Sequence, residues 1–182
     1  DGRHTEFPER VLVPSRKTLG EVLAAGKPGV LDADALMLVD PDRIKAHRRA
    51  APGTLIATPH DGELVALENA FGLPSGGSKV ERTMALAGAA GLVVVTKGPD
   101  TVIAAPDGRL AMAHRAPSWL SVAGTGDVLA GIIAARLAGG ADAFDAACEG
   151  VWLHGAAARL TPVPFTAADL AGAVPAAMRE CL

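Results

Sequence analysis

Apolar residues along this chain come in short runs, and the breaks between runs carry turn chemistry. Residues 18–25 hold a short helical pattern stopped by Gly26 and Pro28. Residues 29–31 form a brief apolar run ending on Asp32, Ala33 and Asp34, which predicts a buried strand with two acids at its carboxyl end. Residues 41–51 read as helix, and residues 55–57 as the next strand, broken by Thr58-Pro59-His60. Residues 61–71 return to helical spacing, with Leu64, Leu67 and Phe71 on one face. Ser78 caps a helix that runs to Gly91, and residues 92–96 (LVVVT) give the clearest strand. A turn at Lys97-Gly98-Pro99-Asp100 leads into residues 101–105, and Pro106-Asp107-Gly108 returns the chain through residues 110–114. Gly124 and Gly126 precede a helix over 127–137, and helical stretches over 143–160 and 167–178 complete the chain.

Strands alternating with helices predict an α/β fold whose mostly parallel sheet is covered on both faces. The 182 residues fit one domain. Residues 1–17 are polar, contain Pro8 and Pro14 and show no sustained period, so they read as an arm. The first residue is Asp1 rather than Met, which leads the reading to expect an amino end that is cut or processed.

Composition narrows the function. With 49% hydrophobic and 20% charged residues the chain is of ordinary globular type. A net charge of -3 and a pI of about 5.9 leave no footprint for nucleic acid or an anionic membrane. The basic cluster over 45–49 (KAHRR) reads as the solvated face of a short helix. Four Phe, two Trp and no Tyr argue against base stacking on aromatic platforms. Cys148 and Cys181 lie far apart with no C-x-x-C or zinc-ligand spacing, and read as buried small hydrophobes in a reducing cytoplasm. No apolar run is long enough to span a membrane.

The sharpest chemistry lies at residues 123–131 (AGTGDVLAG). Glycines directly before a helix let backbone amides converge on an anion, and the helix dipole favours negative charge there. Asp127 beside such a site is repelled by a phosphate, and an ordinary N-cap role for it stays open. Lys97, Gly98 and Thr101 stand where the clearest strand ends, the place where open α/β sheets bind ligands. There Lys97 and a Thr hydroxyl can hold phosphate oxygens while Gly98 admits close approach, or the segment is a hairpin turn with a solvated lysine. Thr58 and Pro59 suit a helix start, with Thr58 as cap, whereas His60 and Glu63 are polar groups facing the same edge. Of Asp32 and Asp34, one is expected to face that edge. No Walker A motif and no G-x-G-x-x-G follows a strand.

Taken in order, Asp32-Ala33-Asp34-Ala35-Leu36, Thr58-Pro59-His60-x-Gly62-Glu63, Lys97-Gly98-x-x-Thr101 and residues 124–131 (GTGDVLAG) resemble the NAD(P)H-hydrate dehydratases, the carboxy-terminal half of bifunctional repair proteins. Residues 151–155 (VWLHG) also fit. The resemblance implies a ribokinase-like fold. It also implies a repair reaction in which the (6S) hydrate of NADH or NADPH is phosphorylated by ADP (ATP in animals) and phosphate is eliminated, with AMP released from ADP. Carried over by motif, Asp127 is the general base. Lys97, Gly98, Pro99, Asp100, Thr101, Gly124, Thr125 and Gly126 contact the nucleotide, and His60, Asp127, Asp34 and Glu63 the hydrated dinucleotide. Mg²⁺ is the implied counter-ion, with no metal cage built by the protein, and a homo-oligomer is implied by bacterial members.

Two departures stand out. Asp61 replaces the usual proline, and residues 6–17 stand where the family has a glycine-rich segment. The reading therefore expects a chain shortened at its amino end, with reduced stability and activity. Two other readings fit the same residues: a ribokinase-like kinase for a vitamin or sugar hydroxyl, and a non-catalytic remnant that binds nucleotide or a partner protein.

Overall fold

The computed structural model describes residues 9–51, 54–74 and 76–180. Gly29–Leu31 (β1), Leu55–Ala57 (β2), Val93–Thr96 (β3), Val102–Ala104 (β4) and Leu110–Met112 (β5) form one sheet in sequential order. The first three strands are parallel, with Val30 beside Ile56 and Ile56 beside Val93. The last two are antiparallel, with Val95 beside Ile103 and Ile103 beside Ala111. The parallel expectation thus holds for β1 to β3. The short turns after Thr96 and Ala104 leave no chain for a crossover, so the rest of the sheet folds back.

Helices cover both faces. Glu9–Ala24 (α1), Asp34–Met37 (α2), Pro41–Ala50 (α3), Asp61–Ala70 (α4) and Lys79–Ala90 (α5) lie on one side, and Thr125–Ala138 (α6) and Ala143–Leu160 (α7) on the other. Ala167–Arg179 (α8) packs outside α6 and α7 through Leu170 and Ala177 against Ile132 and Leu153. Side chains alternate as strand geometry requires: Val94 joins the α2–α5 core, while Val93 and Val95 join the α6–α7 core. Strands of three or four residues make few ladder bonds, each worth about 0.5–1.5 kcal/mol net. A fully buried Val or Leu contributes about 1.5–3 kcal/mol, so two-sided burial rather than the ladder holds the sheet. No helix among the described residues is long and apolar enough to cross a membrane.

Several expectations are corrected. Residues 9–17, read as an arm, are helical and continue into 18–24, while residues 1–8 lie outside the described residues. Pro14 lacks an amide and removes one internal bond without ending the helix. In the KAHRR cluster Lys45, Arg48 and Arg49 are exposed, but His47 is buried with Nε2 3.0 Å from the Lys27 carbonyl oxygen. Cys148 is only half-buried, and Cys181 lies outside the described residues. Between α4 and α5, Arg82 donates from Nε and Nη2 to both oxygens of the buried Glu68 carboxylate, each at 2.7 Å.

The α6–α7 seam is the tightest contact. A Cβ on Gly150 would overlap Ile133 Cγ1 and lie 3.2 Å from the Ile133 Cα. One turn further, His154 Nε2 donates to the Thr125 carbonyl at 2.9 Å, tying α7 to the first residue of α6.

Gly150→Ala is expected to destabilise by about 1–3 kcal/mol through overpacking, outweighing the roughly 1 kcal/mol that alanine gains over glycine in a helix. Gly88→Ala in α5, where a Cβ meets nothing within 4 Å, should instead stabilise by up to about 1 kcal/mol. Urea unfolding of both variants checks the opposite signs. At His154, burial holds the pKa below its ordinary 6.5, opposed by the bond to Thr125. The unfolded chain therefore takes up a proton that the folded chain refuses. The stability this site contributes is complete above about pH 6.5 and is lost as pH falls below it. Between about pH 8 and about pH 5.5, His154→Gln should lose less melting temperature than the parent.

Candidate functional site

The carboxyl ends of β1, β2 and β3 are laced together. Thr58 donates its amide to the Leu31 carbonyl at 3.0 Å, and Lys97 donates its amide to the Pro59 carbonyl at 2.8 Å. This brings the side chain of Lys97 to Asp32, with Nζ 2.7 Å from Oδ1, and within 3.8 Å of Glu63 Oε2. Lys97 is not a solvated turn lysine, since its side chain is only 21% exposed. The start of α6 closes on the same cluster. A Cβ on Gly126 would stand 3.6 Å from Lys97 Nζ and 3.9 Å from Asp32 Oδ2.

A strained turn separates the two acids of the Asp32-Ala33-Asp34 segment. Ala33 has φ 49° and ψ -126°, and Ala35 donates its amide to the Asp32 carbonyl at 3.1 Å. A non-glycine residue there costs about 1–3 kcal/mol. Asp32 lies inward against Lys97, and Asp34 is left exposed in the first turn of α2.

Helix starts divide sharply. Asp40, His60, Ser78, Asp142 and Thr166 each cap the helix that follows with a side-chain acceptor. The cap of α4 is His60, not Thr58. Its Nδ1 accepts from the amides of Gly62 and Glu63 at 3.0 and 3.1 Å, and Glu63 accepts from the His60 amide at 2.8 Å. Thr58 has turned away, its hydroxyl donating to the Leu31 carbonyl at 3.3 Å. At α6 the N-cap is Gly124, in the left-handed region at φ 87°, and no side chain caps it. Asp127 sits in the third position of α6, so it is not an N-cap. Among the described residues neither the amides of Gly126 and Asp127 nor the Asp127 carboxylate has a hydrogen-bonding partner. Thr125 is fixed beneath them, its hydroxyl donating to the carbonyls of Leu120 and Val122 at 2.7 and 2.8 Å.

Beside this helix start opens a cleft of about 820 Å³ with largely apolar walls. Of the residues the sequence singled out, His60, Lys97, Gly98, Pro99, Thr101, Thr125 and Gly126 line it. Asp32, Asp34, Glu63, Asp100, Gly124 and Asp127 do not. Thr101 turns its hydroxyl back onto the Gly98 carbonyl at 3.0 Å. Asp100 pairs with Lys79 at 3.0 Å, and that hydrogen bond holds its carboxyl below the usual range. The cleft is also lined by His114, Arg115, Trp152, His154 and Arg159, of which Trp152 and His154 belong to the VWLHG segment marked in the sequence. Cys148 also faces the cleft, where burial pushes its thiol up. Among the described residues no three metal-ligating side chains converge.

Comparison with known proteins matches the chain's sequence and fold to a family. The family model described as NAD(P)H-hydrate dehydratase matches residues 13–175. An ADP-dependent (S)-NAD(P)H-hydrate dehydratase of Neisseria meningitidis is 41% identical over 135 residues, 72% of this chain and 45% of that protein. The structure of an ADP/ATP-dependent NAD(P)H-hydrate dehydratase from Bacillus subtilis, co-crystallised with ATP and Mg²⁺, superposes with a TM-score of 0.74 at 31% identity. It is covered over 59% of its length by 91% of this chain. A hydroxyethylthiazole kinase from Pyrococcus horikoshii, at 17% identity and a TM-score of 0.71 over 93% of this chain and 67% of that one, shares the fold. The chain thus spans about half the length of the curated relative it matches. With a ribokinase-like architecture and a family match running from residue 13 to residue 175, the chain belongs to the NAD(P)H-hydrate dehydratase family.

Proposed function

We propose that this chain carries the nucleotide-binding and catalytic edge of an ADP-dependent dehydratase that returns the (6S) hydrates of NADH and NADPH to the reduced cofactors in the cytoplasm. The observation that carries the reading is the uncapped start of α6, whose amides at Gly126 and Asp127 lie next to a carboxylate with no partner. Free amides at a helix N-terminus suit a transferring phosphoryl group. A free carboxylate beside them suits proton removal from the hydroxyl that receives it.

The two sides of this helix start differ. Gly126 borders the cleft and Asp127 does not, which supports nucleotide on the cleft side and the hydrate on the Asp127 side. On the nucleotide side stand Lys97, Gly98, Pro99, Thr101, Thr125 and Gly126. His60 also borders the cleft, and with its backbone held by Glu63 it is assigned to the hydrate where the two ligands meet. Asp127 takes the hydroxyl proton as the hydrate oxygen attacks the terminal phosphorus of ADP and the bond to AMP breaks. Phosphate then leaves with its bonding electron pair and the adjacent carbon gives up a proton to solvent, restoring the double bond; a hydroxide would leave poorly. Mg²⁺ fits as an ion carried by the nucleotide's own phosphates. Bound there, it would neutralise phosphate charge.

Asp127→Asn is expected to leave ADP affinity intact and to lower turnover by about 10²–10⁴. The assay follows recovery of reduced nicotinamide at about 340 nm with ADP and NADH hydrate, in the protein that carries this chain. Turnover of the variant at the parent rate would remove Asp127 from the role of base.

A further inference from the structure

Lys79 is the first residue of α5, and a lysine in the first turn of a capped helix ordinarily points to solvent. Here its side chain is only 15% exposed. The ammonium donates to the Lys97 carbonyl and to Asp100 Oδ1, both at 3.0 Å, so one charge spans both ends of the turn between β3 and β4. Its own helix is firmly placed. Thr83, one turn on, donates to the Lys79 carbonyl at 2.7 Å and shares a buried hydrogen bond of 2.8 Å with Thr96, the last residue of β3. Arg82 anchors the same helix to α4 through the buried Glu68.

Gly98 fits around this ammonium. Its φ is 154°, and a Cβ there would overlap Lys79 Nζ and stand 3.4 Å from Asp100 Oδ1. We infer that Lys79 is a positioning residue for the 97–101 loop, and that its ammonium adds to the positive φ in keeping position 98 a glycine. The inference rests on the proposed function for its link to ADP. It also accounts for an acid in a loop that would receive phosphates, since Lys79 neutralises Asp100 before an anion arrives. Without Lys79 the loop would lose its brace, and Asp100 would repel the ligand.

The test combines binding with a stability cycle. Lys79→Ala should weaken ADP binding at least about tenfold by calorimetry and raise the KM for ADP with little change in kcat. Adding Asp100→Asn to Lys79→Ala should recover part of the affinity, which a merely structural role for Lys79 would not produce. Independently of any nucleotide, Gly98→Ala should lower the melting temperature less in the Lys79→Ala background than in the parent, because part of its cost is the clash with the ammonium. Unchanged ADP affinity in Lys79→Ala, or melting-temperature losses that simply add, would overturn the inference. A parent protein that binds no ADP would defeat the functional proposal instead, and the stability cycle would then decide the role of Lys79 alone.

Discussion

Among the described residues the amides of Gly126 and Asp127 meet no carbonyl and no side chain in the first turn of α6, although five other helices are capped by their own residues. Asp127 is exposed and Gly126 half-buried, so these donors are left to solvent or a ligand, and the turn's shape depends on the surroundings that hold it in place. Thr125 bonds back to the preceding loop, His154 holds the Thr125 carbonyl, and Gly150 lets α7 press against α6 at Ile133. On its flanks α6 is apolar toward both the sheet, through Leu129 and Ile133, and α8, through Ile132. The unmet hydrogen-bonding capacity of one turn is thus supported by the packing of three helices.

Charge around this turn is matched only in part. Lys97 is shared by Asp32 and Glu63, closer to Asp32, and Asp100 is matched by Lys79. These acids each lie near an ammonium, whereas Asp127 stands without a counter-charge among the described residues. A basic side chain within reach of Asp127 would favour its charged form and reduce its ability to accept a proton. The arrangement separates the carboxylates that shape the site from the one proposed here as the base.

Much of this was readable from the sequence, and the failures share a cause. LVVVT with its flanking turns located β3, and glycines before an amphipathic stretch located the start of α6. Local spacing carries that information. The arm assigned to residues 9–17 failed because Pro14 was weighed as a breaker, although a helix tolerates the loss of one bond. Thr58 reads as a cap from its hydroxyl, whereas the cap is His60, whose imidazole is a less common acceptor at that position. The partners of Lys97 lie 65 and 34 positions away, and Lys79 meets a loop 18 to 21 positions ahead. No local pattern reports such meetings. Arg115 and Arg159 reach one cleft from opposite ends of a long stretch of chain for the same reason.

The cap on α4 also determines what His60 offers a ligand. With Nδ1 accepting from two backbone amides, the proton of the neutral ring is confined to Nε2. The side chain is 59% exposed and borders the cleft, so the imidazole presents a single donor there and no acceptor. It can therefore grip a carbonyl, a hydroxyl oxygen or a phosphate oxygen, but it offers nothing to an amine. A backbone device that ends one helix cleanly has thereby fixed the tautomer, and with it the polarity, of a residue on the ligand's side.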